Sequence, residues 1–232
     1  MPDPAALAQT YELPQPAAER LTVLTDLIAN DDNAPTTVRE RDAIVNDHLA
    51  DSLVALGLPQ ISGARSIADL GAGGGFPGLP LAIALPNTRV FLVESIGRKC
   101  EFIQEAVHLL GLDNAEVVNA RAEEWSGGIG HFDAVTARAL APLSVVAEYA
   151  APLLRIGGTL VAWRGKREPG VEADAQAAAE ILGLSVEAPL QVFPYPAAEH
   201  RFLHLLTKVS ATPPRFPRRP GMARKRPLGR AV

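Results

Sequence analysis

The chain has 232 residues, 47% of them hydrophobic and 21% charged, which suits one α/β domain with an appendage and leaves no room for two independent enzymes. Cys100 is the only cysteine, so an intrachain disulfide is excluded and a reducing, cytoplasmic setting is expected; the start MPDPAALAQ lacks the basic and apolar regions of a secretion signal, and prolines interrupt the apolar stretches before they could span a bilayer. The net charge of −4 conceals an asymmetry: residues 1–207 carry 14 Lys/Arg against 26 Asp/Glu, whereas residues 208–232 carry 8 Lys/Arg and no acid, which points to a polyanionic partner reached through the tail.

Leu21, Leu24, Leu27 and Ile28 recur at helical spacing over 17–30. Ile44, Val45, Leu49, Leu53, Val54 and Leu56 do the same over 41–56, so two helices are predicted, joined by the polar stretch 31–37. Residues 57–63 read as a linker into a first strand.

That strand opens SIADLGAGGGFPG, residues 66–78. Ile67, Ala68 and Leu70 form a short buried run, and Gly71, Gly73, Gly74 and Gly75 then allow positive φ and close approach of a ligand to the backbone. A helix is expected from Phe76-Pro77 until Pro86. A strand feeding a helix through such a turn is a cradle for a nucleotide-like ligand, and two ligand classes fit it. Gly73, Gly75 and Gly78 satisfy the dinucleotide spacing G-x-G-x-x-G. Asp69, expected to face the ligand, favours S-adenosylmethionine over a pyrophosphate, because that donor carries a sulfonium and an ammonium and no phosphate. A P-loop is excluded, since Phe76-Pro77 follows Gly75 where Lys-Ser/Thr would stand.

Strands and helices then alternate with short connections, the pattern of a parallel doubly wound sheet. Strands are predicted at 90–94, 115–119, 132–136 and 159–163, with helices at 98–110, 143–154 and 171–182. A strand near 184–192 and another at 202–208 complete the sheet.

Glu94 ends the second strand about 20 residues after the glycine turn, where an acid takes ribose hydroxyls. Ala122 and Glu123 follow the third strand, where an adenine would lie; Glu123 and Glu124 also read as ordinary acids at a helix start. Arg138 stands at the carboxyl edge of the fourth strand, either functional or salt-bridged, and the functional role is expected. Arg164 and Lys166 occupy the same edge after the fifth strand and could meet phosphate. His48, Asp51 and Ser52 share one helix face and read as a polar contact docking that helix on the sheet, not as a triad or a metal site. Cys100 reads as packed. His131, His200 and His204 lack metal-ligand spacing, and no metal is expected.

The methylated atom is narrowed by residue types. Pyrimidine C5 needs a cysteine nucleophile, and amino-group methylation uses an Asn/Asp-Pro-Pro-aromatic box where this chain reads TARALAP. Guanine N7 needs neither, because its lone pair points outward and no proton leaves, so alignment can supply most of the catalysis.

HLADSLVAL (48–56), DLGAGGGFPGLPLAIA (69–84), ESIGRKCEFI (94–103), NARAEEW (119–125), FDAVTARALAPL (132–143), WRGK (163–166) and FPRRPGMARKRPL (216–228) together resemble the bacterial small-subunit ribosomal RNA guanine-N7 methyltransferases, formerly named glucose-inhibited division protein B. The resemblance runs from about Val38 onward. Ala34-Pro35-Thr36 stands where that family has Asn-Leu-Thr, Glu94 where it more often has Asp, and Arg164 where it has Lys. The resemblance implies S-adenosylmethionine as methyl donor and 16S ribosomal RNA, or the small ribosomal subunit, as partner, with guanine 527 as target. It also implies a donor site including Gly71, Phe76, Ala122, Glu123 and Arg138.

The expected fold is a class I S-adenosylmethionine-dependent methyltransferase: a Rossmann-like seven-stranded sheet with the last strand antiparallel. Residues 1–63 would form a helical extension, 64–209 the methyltransferase domain and 210–232 an extended basic tail. Donor contacts are expected from Asp69, Gly71, Gly73, Phe76, Glu94, Ala122, Glu123 and Arg138, and catalytic roles from Arg138 and Arg164. RNA contacts are expected from Arg98, Lys99, Arg121, Lys166, Arg218, Arg219, Arg224, Lys225 and Arg226, with Arg215 and Arg230 adding to the tail's charge. The protein is expected to be a monomer in the cytoplasm, away from membranes. An NAD-dependent oxidoreductase and a ribosome-binding module without catalysis are the competing readings.

Overall fold

The structure, a computed structural model, describes residues 3–229; Arg230 lies outside them. Among the described residues an eight-stranded sheet runs in the order β3-β2-β1-β4-β5-β8-β6, with β7 paired to β8. Its strands are β1 (Ser66–Leu70), β2 (Arg89–Glu94), β3 (Ala115–Asn119), β4 (Phe132–Arg138), β5 (Leu154–Arg164), β6 (Leu184–Val186), β7 (Leu190–Gln191) and β8 (Phe202–Lys208). The pairs from β3 through β5 are parallel, and β8 runs antiparallel to β5, β6 and β7.

The two-residue period of a strand sends alternate side chains to opposite faces, and here both faces are covered. Ile67, Val90, Leu92 and Val161 face one core, shared with α1 (Pro4–Thr10), α2 (Ala17–Asn30), the helical segment 41–57 that contains α3 (Arg41–Ile44) and α4 (Asp51–Leu53), α5 (Pro59–Ser62), α6 (Gly78–Ala84) and α7 (Gly97–Leu109). Ala68, Leu70, Val135 and Leu160 face the other, shared with α8 (Leu143–Ala150) and α9 (Pro169–Leu182). The chain winds outward in both directions from β1 and β4, so the crevice outside their carboxyl ends is the topological switch point where such sheets bind ligands.

Several elements differ from expectation for local reasons. The segment 41–57 is not one α-helix: Arg41–Ile44 passes into a π-helix at Val45–Ala50, an α-turn at Asp51–Leu53 and a 3-10 turn at Val54–Gly57. The fifth strand begins at Leu154, earlier than predicted, with Gly158 so close to the β4 backbone that a Cβ would lie 2.6 Å from the Phe132 carbonyl oxygen. Pro189, which has no N–H for a ladder bond, separates β6 from β7 where a single strand was expected.

The tail departs furthest. Prolines were expected to keep it extended, yet Phe216 and Ala223 are buried in the second core and Met222–Lys225 form a helical turn, α10. Gly221 at φ +78° makes the turn into α10 possible.

Candidate active site

The glycine turn is fastened to β2 before any ligand arrives. Gly71 and Ala72 donate their N–H groups to the Val93 carbonyl at 2.8 and 3.1 Å, and Gly73 N–H donates to Glu94 Oε2 at 3.1 Å. Gly71 sits at φ +68°, an angle that favours glycine, and a Cβ there would also displace the Leu140 side chain, whose Cδ1 would lie 2.6 Å away. Gly78 opens α6 so close to the sheet that a Cβ would lie 2.3 Å from Leu92 Cδ2.

Glu94 is buried at the end of β2. Its Oε1 accepts from the Ser95 and Ile96 amides at 2.7 and 3.0 Å. These bonds fix the carboxylate's orientation; Oε1 is filled by its two amides, and Oε2, with the single Gly73 bond, keeps acceptor capacity for a hydroxyl.

Asp69 corrects the sequence reading. Its side chain is fully buried under the turn: Oδ2 accepts from Gly78 N–H at 2.9 Å and Oδ1 accepts from the Thr136 hydroxyl at 2.8 Å. Burial raises its pKa to about 6 despite those bonds. Asp69 braces the start of α6 against β4, and the charge argument that placed it opposite a sulfonium does not apply.

Beside the turn lies a cleft of about 490 Å³, lined by Gly71, Val93, Glu94, Ala120, Ala122 and Glu123 from the β1, β2 and β3 ends. Ala139, Leu140 and Tyr149 close a second side, and Gly221 and Arg224 of the tail a third. Ala139 holds φ +54°, an uncommon angle for a residue with a Cβ, immediately after β4. Glu123 Oε1 accepts from Gly221 N–H at 3.1 Å. A larger hollow of about 720 Å³ lies between the 31–35 loop and α7, bordered by Arg98 and Lys99; Lys99 lines both. The smaller cleft is the candidate donor site, because the glycine turn and Glu94 face it.

Arg138 does not line that cleft. It donates to Asp51 Oδ2 at 2.9 Å, to the Asp47 carbonyl at 2.8 Å and to His48 Nδ1 at 3.1 Å, with its guanidinium carbon 5.4 Å from the centre of the Phe76 ring. Arginine can only donate, so His48 Nδ1 accepts and Nε2 carries the proton toward Thr36 Oγ1, 2.9 Å away. The imidazole is neutral accordingly: burial, then Arg138, lower its pKa to about 4. Phe76 is buried and stacks on His48 at 4.3 Å. His48 and Asp51 thus dock segment 41–57 on the sheet, as their spacing suggested, whereas Ser52 turns its hydroxyl back to the His48 carbonyl. The sequence reading missed Asp47, Trp163, Tyr195 and Arg201. Trp163 Nε1 donates to the Asp51 carbonyl at 2.6 Å, Arg201 Nε lies 3.2 Å from Asp51 Oδ1, and Tyr195 and Arg201 both reach Asp47. No sequence spacing links residues from such distant strands and loops.

The basic residues divide by how they are held. Arg164 donates to the Ala141 carbonyl at 3.1 Å and is partly buried, while Arg98, Arg121, Lys166, Arg219, Lys225 and Arg226 are exposed. Arg218 is withdrawn from the RNA-facing set, because its guanidinium is taken up by the buried carboxylate of Glu148. Cys100 is buried and donates Sγ–H to the Glu94 carbonyl at 3.2 Å, and burial raises its pKa, so it is packed and not a nucleophile.

A parallel sheet with an antiparallel β8 and a glycine turn at the switch point define a class I methyltransferase fold. A sarcosine dimethylglycine methyltransferase structure from Galdieria sulphuraria, itself described as putative, matches with a TM-score of 0.56 at 14% identity, over 73% of this chain and 88% of that one. Aeropyrum pernix fibrillarin, solved with natively bound S-adenosyl-L-methionine, matches with a TM-score of 0.51 at 20% identity, over 67% and 72%. The family model described as rRNA small subunit methyltransferase G matches residues 22–191. Proteins named ribosomal RNA small subunit methyltransferase G are similar over most of their length. That of Chloroflexus aggregans is 42% identical over 87% of this chain and 85% of its own, and that of Desulfitobacterium hafniense 36% identical over 94% and 92%. The chain belongs to this family of methyltransferases. Among the described residues, no helix is long and apolar enough to cross a membrane.

Proposed function

We propose that this protein transfers a methyl group from S-adenosylmethionine to N7 of a guanine in small-subunit ribosomal RNA. The observation that carries the reading is the Gly71–Gly73 turn clasped to Glu94 beside an open cleft, in a chain of the rRNA methyltransferase G family. The same family membership favours the methyl donor over the dinucleotide that the glycine spacing also fits.

Gly71 and Gly73 would admit the donor's backbone-close portion, Glu94 would accept from ribose hydroxyls, and Ala122 would border the adenine. The donor, when bound, supplies an electrophilic methyl on a sulfonium. The chain's own part is alignment: guanine N7 presents a free lone pair, so no side chain has to remove a proton. A catalytic centre without an exposed cysteine or a cationic histidine is compatible with that chemistry. Arg138 serves it as a positioning residue, holding segment 41–57 and Phe76 against the sheet edge. Arg98, Lys99, Arg121, Lys166 and the exposed tail cations surround the edge where a phosphate backbone would run. With ribosomal RNA as substrate, the protein's place is the bacterial cytoplasm.

Tritiated-methyl transfer to naked 16S RNA, small subunits and whole ribosomes, followed by mapping of the labelled base, tests the assignment. Label at a guanine N7 of the small-subunit RNA is expected. Micromolar NAD binding without donor binding would overturn it, and donor binding with no transfer to any RNA form would leave a ribosome-binding module.

A further inference from the structure

The basic tail is anchored at three kinds of contact. Phe216 and Ala223 are buried against the α8 side of the sheet. Glu148 of α8, only 1% exposed, takes Arg218 Nε on Oε1 at 2.7 Å and a terminal nitrogen of the same guanidinium on Oε2. Gly221 N–H then reaches Glu123, and Arg224 donates to the Leu140 carbonyl at 3.0 Å. Gly221, Arg224 and Tyr149 line the cleft that holds Gly71 and Glu94.

We infer that residues 216–226 form a strap that is a wall of the methyl-donor cleft, and that Glu148 and Arg218 are positioning residues for donor binding because they clasp that wall in place. The inference rests on the reading of this cleft as the donor's. A buried carboxylate with both oxygens bound by one edge of a guanidinium is a directional attachment, and losing either partner leaves the other without its counter-charge. The clasp stands outside the cleft and acts only through Gly221 and Arg224. The strap's outer surface carries Arg219, Lys225 and Arg226, so one element serves the donor on its inner side and offers charge to RNA on its outer side. Any effect the donor has on RNA affinity through the strap would be matched by an equal effect of RNA on donor affinity, as linkage requires.

Amide hydrogen exchange on the full chain, with and without S-adenosylhomocysteine, tests this together with calorimetry on point variants. The expected result is slower exchange both at 71–75 and at 218–226 when the ligand is added. Protection at 71–75 with unchanged exchange in the strap would overturn the inference and leave the donor reading standing, whereas no protection at either would overturn the donor reading itself. Glu148→Gln should weaken ligand binding about five- to tenfold, the loss of roughly one good hydrogen bond at the cleft wall, with faster exchange confined to the strap. Arg224→Ala, on an exposed side chain, should weaken binding similarly and covers the case in which Glu148→Gln does not fold. Native-like affinity in either folded variant would sink the proposal.

Discussion

Arg138 and Asp51, far apart in the chain, form an ion pair 2.9 Å long with the acid 6% and the base 17% exposed. The pair joins the end of β4 to the irregular helical segment 41–57, next to the glycine turn. Arg201 approaches the other oxygen of Asp51, so the carboxylate lies between two guanidinium groups.

Removing one member should therefore cost more than removing both. Arg138→Met is expected to destabilise the fold by about 2–4 kcal/mol, slightly under the range for breaking a buried pair because Arg201 remains. Arg138→Met combined with Asp51→Asn should recover part of that loss. Urea melts of the two single variants and the double variant give the coupling energy. Strict additivity would show that the pair contributes nothing as a pair, and full methyl transfer by stable Arg138→Met would remove the arginine from the functional account.

Two of the buried titrating groups, His48 and Asp69, oppose one another with pH. His48 has its pKa lowered to about 4 in the fold and near 6.5 in the unfolded chain, so the unfolded state takes up a proton first as pH falls. Its contribution is complete above pH 6.5 and is lost toward pH 4, by about 3 kcal/mol. Asp69 has its pKa raised from 3.8 to about 6, so the fold holds that proton more tightly, and the resulting stability is lost as pH rises through this window. His48→Gln deletes only the first slope. Relative to the native chain, the variant should gain about 3 kcal/mol between pH 6.5 and 4. Denaturant titrations at closely spaced pH values read this directly, and a pH-independent difference would show that His48 is not held neutral.

Glu94 combines two tasks that substitutions can separate. Its carboxylate organises the Gly73, Ser95 and Ile96 amides and also stands where ribose hydroxyls would bind. Glu94→Ala should weaken donor binding by about 1–3 kcal/mol and lower the melting temperature, since the amides lose their acceptor. Glu94→Gln keeps one carbonyl acceptor and should fall between the two. Unchanged donor affinity in folded Glu94→Ala would refute the ribose role.

What was legible in the sequence was local. The apolar run before Gly71, the positive-φ glycines and the acid closing β2 carry their meaning within one βαβ unit, and the alternation of strands and helices follows from periodicity. Asp69 was placed at the right strand position but given the wrong direction, because the two-residue period leaves open which partner lies beneath it; only Thr136 and Gly78 decide. The Asp47–Asp51–Arg138–Arg201 network joins segments that periodicity treats separately. The tail's prolines pointed to extension, yet Phe216 was a lone aromatic in a basic stretch and Glu148 an acid on an otherwise apolar helix. Their burial together with Arg218 is the outcome those two anomalies hinted at.

The tail's packing changes what its charge can do. Arg218 is occupied and Arg224 faces the cleft, leaving Arg219, Lys225 and Arg226 as exposed cations on a surface held in place, with Arg215 exposed nearby. A fixed surface can neutralise phosphates without first ordering a free chain, so the entropic cost of binding is lower than for an extended end. Each phosphate contact on single-stranded RNA contributes about 0.7 to the slope of log affinity against log salt. Replacing Arg219, Lys225 and Arg226 together by alanine should flatten that slope by about 2 and raise the Michaelis constant for RNA. Donor affinity should stay close to native, because none of the three lines the donor cleft. Filter binding across a salt series, with calorimetry for the donor, separates the effects. An unchanged salt slope in the folded triple variant would move the RNA-binding surface to Arg98, Lys99, Arg121 and Lys166.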